Sequence, residues 1–328
     1  MSLAESARIS IRRDGKSPLP PDYFNFTNTS VSDRLVRLLQ SNVLASINRQ
    51  PDPKVFQKLM DGVRPTDERT VVAYDLLHEL DDRVIYKDDD LLIIDKPAGI
   101  PAHGNDRTNL GVEEIVKFKK GMHVQHANRL DIHTTGVMVF ANNFSALIDM
   151  SQQFADKGKS KMQKQYLAIM NGAFASPEEL DVHVLLRPAQ GRGRDMQEAT
   201  LMEVVPAGIR DDHRTMRDSE TLFKPLVLLE TKTDPPKLMT LVRVQPITGR
   251  KHQIRVVAAQ ALNLPTGMPL LGDGLYGPDK TLDTRYMLHA HKLTFALPST
   301  GVAKTVEAPV PADFQDMVSS MRVVTKYQ

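Results

Sequence analysis

Asp131 lies in the stretch N-R-L-D-I-H-T-T-G-V-M-V-F-A, residues 128–141, which sets one carboxylate against a glycine turn and an apolar run. It is the first candidate for chemistry. Arg129 precedes it by two residues, so in extended backbone both side chains point to one side, where the guanidinium could hold the carboxylate ionised. The same residue types also build plain turns: Asp131 and Thr134 can bond their own backbone, an arrangement with no catalytic content. Val137, Met138, Val139 and Phe140, bounded by Gly136 and by Asn142-Asn143, suit a short buried strand better than a helix. The polar residues before them therefore stand at a strand entrance.

Basic and aromatic residues supply the other candidates. Lys157, Lys159, Lys161 and Lys164 crowd together just ahead of Tyr166 and the apolar Leu167 to Met170. Such a run can clamp phosphates or simply be solvated. Arg250, Lys251 and His252, within T-G-R-K-H-Q-I-R (248–255), form a second cluster that fits either phosphate binding or a surface turn. Metal chemistry finds little support. Asp88-Asp89-Asp90 reads as a hairpin turn, and His289 with His291, like His123 with His126, lacks a third ligand. The chain of 328 residues has no cysteine, which excludes disulfides and thiolate metal sites. Lys and Arg number 42 against 40 Asp and Glu, so the net charge of +2 does not announce a nucleic-acid partner; an RNA site would have to come from local clustering. No apolar run approaches the roughly 20 residues that span a bilayer.

Five ordered segments across residues 83–320 together resemble the RluA-type pseudouridine synthase family. They are the opening R-V-I-Y-K-D-D-D-L-L-I-I-D-K-P, then N-R-L-D-x-x-T-T-G, then K-x-Y at 164–166, then T-G-R-K-H-Q-I-R with the later G-D-x-x-Y-G, and finally L-H-A at 288–290. The family's pattern is H-R-L-D-x-x-T-S-G, so Asn128 stands where it has histidine and Thr135 where it has serine. The resemblance implies that Asp131 is the catalytic aspartate, that Arg255 pairs with it, and that Tyr166 stacks on the uracil and moves its proton. It implies that Arg129 fills the gap left by a flipped-out uridine and that Lys96 lines the site. Backbone contacts would come from Lys157, Lys159, Lys161, Lys164, Arg250, Lys251 and His252. It further implies an RNA partner, ribosomal or transfer RNA, free or in a ribosomal particle, with no cofactor and no metal, and a monomer by default. The rival reading is a catalytically inactive RNA-binding or ribosome-assembly factor on the same fold. A hydrolase pairing Asp131 with Asp273 has no support in the spacing.

The elements that must position these residues are legible in part. Strands come as neighbouring hairpin-like runs without βα alternation, which gives an α+β class. The resemblance sharpens this to a mixed, mainly antiparallel sheet with flanking helices and loops. Helices are expected from Ser32 onward, around 55–60, over 144–154 and over 256–262, and a short one closes the chain. Residues 172–235 read as loops or an insertion. Two regions are expected: residues 1–80, an amino-terminal arm with a small helical appendage, and 81–328, the catalytic domain. The opening M-S-L-A-E-S-A-R-I-S-I-R-R has no apolar signal segment, so the expected location is cytoplasmic, with a mitochondrial one as the alternative.

Overall fold

The structure is a computed structural model that describes residues 32–48, 68–104, 110–121, 123–155, 162–189, 201–206, 216–262, 267–278 and 285–327. The helix expected at 55–60 lies outside the described residues. The chain forms two compact units, each built from separated stretches of sequence: unit 1 takes residues up to 133, 137–154 and 296–306, and unit 2 takes 134–136, 155–295 and 307–328.

Unit 1 begins with α1 (Asp33–Asn48), whose start is capped as its sequence suggests: Ser32 Oγ accepts the Leu35 N–H at 3.3 Å. Next comes α2 (Glu68–Glu79), followed by the hairpin of β1 (Val84–Lys87) and β2 (Leu91–Lys96). The acidic turn between them is an Asx turn. Asp88 Oδ1 accepts the N–H groups of Asp90 and Leu91 at 2.9 and 2.7 Å, while Tyr86 donates to Oδ2 at 2.6 Å, a bond that pushes the phenol up to about 12. Then follow α3 (Val112–Lys120), β3 (Gln125–His126), β4 (Thr135–Ala141) and α4 (Phe144–Ala155). Every residue of β4 is buried, as its apolar run requires. β2 and β4 are neighbours in the sheet, and α2 packs on α3.

Unit 2 carries β5 (Gln163–Asn171), β6 (Leu180–Pro188), β7 (Met202–Val204), β8 (Arg217–Glu230), β9 (Leu238–Pro246) and α5 (Gln253–Gln260), then β10 (Leu288–Ala296). After β11 (Ala303–Glu307) come α6 (Ala312–Ser319) and β12 (Arg322–Lys326). The strand order is β10-β5-β9-β8-β6-β7, with antiparallel pairings throughout. The first residues of β4 join β10 in a parallel pairing of two residue pairs, His289 with Thr135 and Ala290 with Gly136, which makes the sheet mixed. Side chains alternate along β5, so it feeds two cores. Ala168 and Met170 pack with Val256 and Val257 of α5 on one face; Ile169 packs with Phe314 of α6 on the other.

Residues 172–235, expected as loops or an insertion, hold β6, β7 and the whole of the long β8. Pro225 hides β8 in the sequence, and a register shift between Pro225 and Val227 accommodates it in the sheet.

Candidate active site

The Asp131 loop is held in unit 1 from both ends. On its entry side, β3 pairs with the end of β4, and Ala127 N–H continues the ladder to Val139 O at 2.8 Å. Asn128 then takes over with its side chain: Oδ1 accepts the Val139 N–H at 2.8 Å and Nδ2 faces Val137 O at 3.4 Å. An amide can offer both an acceptor and a donor to one strand without any ionisable group. The backbone is thereby freed to turn away, leaving Arg129 exposed and Asp131 half-buried. On the exit side, Ile132 O accepts the Gly99 N–H at 2.9 Å and the Lys96 ammonium at 3.1 Å.

Lys96 thus reaches the loop that carries Asp131. It is fully buried at the end of β2 and also donates to Pro97 O at 2.9 Å. Carbonyl partners make burial of an ammonium tolerable, and through them this lysine braces the loop.

In unit 2, Arg255 rises from α5 into a closed environment. Its Nε and Nη2 grip the two oxygens of Asp273 at 2.8 Å each, the paired geometry that a guanidinium matches best. Asp273 also accepts the N–H groups of Leu275 and Tyr276, at 3.1 and 3.2 Å, so G-D-x-x-Y-G folds around its own carboxylate. The guanidinium carbon stands 4.1 Å from the ring centre of Tyr286 and 5.2 Å from that of Tyr276. Asp273, whose part in this segment the sequence did not specify, is thus a bound partner of Arg255.

Tyr166 is half-buried on β5, opposite Ala290 of β10 on one side and Val244 of β9 on the other. Ala290 in turn pairs with Gly136. Gly136 has φ +108°, and a Cβ there would lie 2.2 Å from Ala290 O, so the glycine is needed both for its backbone angle and for the close approach. The two threonines before it are buried and anchored. Thr134 Oγ1 meets the Tyr286 hydroxyl at 3.3 Å, and Thr135 Oγ1 lies 2.9 Å from His289 Nδ1. The far nitrogen of His289 faces Ala308 O at 3.3 Å; a carbonyl only accepts, so Nε2 carries the proton and Nδ1 accepts from Thr135. Burial holds this imidazole well below its ordinary range, at about 4. The sequence offers no sign of the Thr134–Tyr286 contact, because the partners are 152 residues apart.

The basic candidates separate. Lys157, Lys159 and Lys161 lie outside the described residues. Lys164 donates to Thr248 O at 3.1 Å, with Ile247 O at 3.4 Å, and burial together with the neighbouring Arg250 lowers its ammonium to about 8. Arg250 Nε donates to Asp218 O at 2.9 Å, and Lys251 is exposed. His252 has φ +52° and places Nδ1 2.9 Å from the Tyr276 hydroxyl. Lys164 and His252 thus also brace the turn that leads into α5.

A family profile described as RNA pseudouridylate synthase matches residues 90–260. The chain is 30% identical to the ribosomal large subunit pseudouridine synthase C of Escherichia coli strain K12 over 288 residues, covering 84% of this chain and 78% of that protein. It is 32% identical over 250 residues to an uncharacterized RNA pseudouridine synthase, YhcT, of Bacillus subtilis strain 168, covering 73% and 71% of the two chains. Among solved structures, human RNA pseudouridylate synthase domain containing 4 superposes with a TM-score of 0.58 at 22% identity, covering 77% of this chain and 98% of that one. The last likeness bears on the fold alone.

Proposed function

The chain belongs to the RNA pseudouridylate synthase family and is an isomerase of uridine in RNA; from that premise we propose that it acts on a flipped-out uridine of structured RNA, with Asp131 as the catalytic carboxylate. Ribosomal RNA is the substrate class that the name of the Escherichia coli relative favours. In this reaction the bond between the sugar C1′ and the base N1 breaks, the base turns, and C1′ rejoins the base through C5. The C5 proton leaves and N1 ends with a proton, so composition is unchanged.

In the proposed division of labour Asp131 acts on the sugar or the base, Arg255 supplies the counter-charge, and Tyr166 stacks on the base and carries its proton. Arg129 occupies the space the uridine vacates. The observation that supports the role of Asp131 most is the bracing of its loop. Lys96, Gly99 and Asn128 fix the backbone on either side of it, while its side chain stays half-exposed. A nucleophile gains most from such preorganisation.

The test uses RNA transcribed with uridine tritiated at C5 and follows tritium release by wild type and Asp131→Asn. Release by wild type and a loss of at least about 10⁴-fold in the variant is the expected result, the scale set by removing an essential nucleophile. If neither protein releases tritium from ribosomal or transfer RNA while both still bind it in a salt-sensitive way, the protein is a docking factor and the proposal fails.

A further inference from the structure

The pairing of β4 with β10 in unit 2 is only two residue pairs long, Thr135 with His289 and Ala290 with Gly136. A ladder that short does not by itself hold its register. Three consecutive residues of the T-T-G turn nevertheless find separate partners on the 286–290 segment. Thr134 meets the Tyr286 hydroxyl, Thr135 meets His289, and Gly136 lies against Ala290 O. Tyr286 differs from the other two in what else it touches: its ring lies 4.1 Å from the guanidinium carbon of Arg255, whose Nε and Nη2 are taken by Asp273. Thr134, Tyr286, Arg255 and Asp273 are all buried, so neither contact is diluted by water.

We infer that Tyr286 is a positioning residue, a two-ended strut whose ring fixes the plane of Arg255 and whose hydroxyl fixes the turn that follows Asp131 in the chain. The hydroxyl and the ring make separable contributions. Tyr286→Phe keeps the ring over Arg255 and removes the bond to Thr134; Thr134→Val removes the same bond from the other end with little change of shape. The two substitutions therefore should not add, whereas unrelated packing defects would.

The test has two arms, and the activity arm rests on the function proposed above. In the free protein, amide exchange of the peptide covering 131–137 is followed by mass spectrometry. Each single variant should exchange about 5- to 10-fold faster there, the range set by one buried hydrogen bond, and the double variant no faster than either single one. Exchange in β8 and β9 should not change. In the activity arm, kcat for tritium release should fall by a similar factor with KM for RNA unchanged. Unaltered exchange at 131–137, effects that multiply in the double variant, or altered exchange with wild-type kcat would each overturn the strut. Absence of release by the wild type would overturn the proposed function instead, and the exchange arm would still decide this inference.

Discussion

His289 shows how one buried side chain couples the T-T-G turn to pH. Its Nε2–H is committed to Ala308 O and its Nδ1 to Thr135, and burial lowers its pKa from 6.5 to about 4. The folded state therefore holds a neutral ring where the unfolded chain would take up a proton. The stability is fully present above pH 6.5 and is lost as pH falls from 6.5 toward 4. Between pH 7.5 and pH 5 this shift is worth about 2 kcal/mol. Urea unfolding at the two pH values should show that loss in the wild type, and a smaller one in His289→Gln, which has no ring to protonate. At this scale the sequence was readable where a local motif carried the information. The motifs around Asp131, Tyr166 and Arg255 made each of them a candidate from its chain neighbours alone, and their catalytic roles are the ones proposed above. The burial of Lys96 also had a signal: it follows Leu92 and Ile94 at a spacing of two in a buried strand. Asp273 and Tyr286 could not be assigned their contacts, because those depend on residues brought together only by the fold.

Strand β4 makes the corresponding point at the scale of an element. Its apolar run is legible and its burial follows, but Gly136 matters for a reason outside the strand: the carbonyl of Ala290 occupies the space of a side chain. Gly136→Ala must either move that carbonyl or abandon φ +108°, so it should cost about 1–3 kcal/mol and lower the melting temperature measured by calorimetry. Ala290→Gly should not relieve the loss, because the clash is with backbone. Elsewhere, strands with uninterrupted alternation and helices with clear periodicity emerged from the sequence close to their observed bounds, as α4 and β10 did. Helix α5 begins at Gln253, three residues ahead of the apolar run that signals it, because His252 in a left-handed conformation starts the turn. β8 stayed hidden since a proline in mid-strand ordinarily argues against one.

Across the whole molecule, charge is nearly balanced, 42 basic against 40 acidic side chains. RNA affinity must then come from few, local contacts, and each should be countable from salt dependence. Lys251 is exposed beside Arg250 and makes a clean case. If it meets a phosphate, Lys251→Ala should reduce the slope of log affinity against log salt by about one in a filter-binding titration and weaken all bound RNAs alike. The division into two units was not legible, since each is assembled from stretches that the other interrupts. That interruption shapes how the chain is made. Thr134 and Thr135 find their partners only 152 and 154 residues later. At about 5–20 residues per second, the ribosome takes roughly 8–30 s to supply them. The loop with Asp131 therefore leaves the exit tunnel well before the segment that fastens the turn behind it, and the turn waits unfastened for that time.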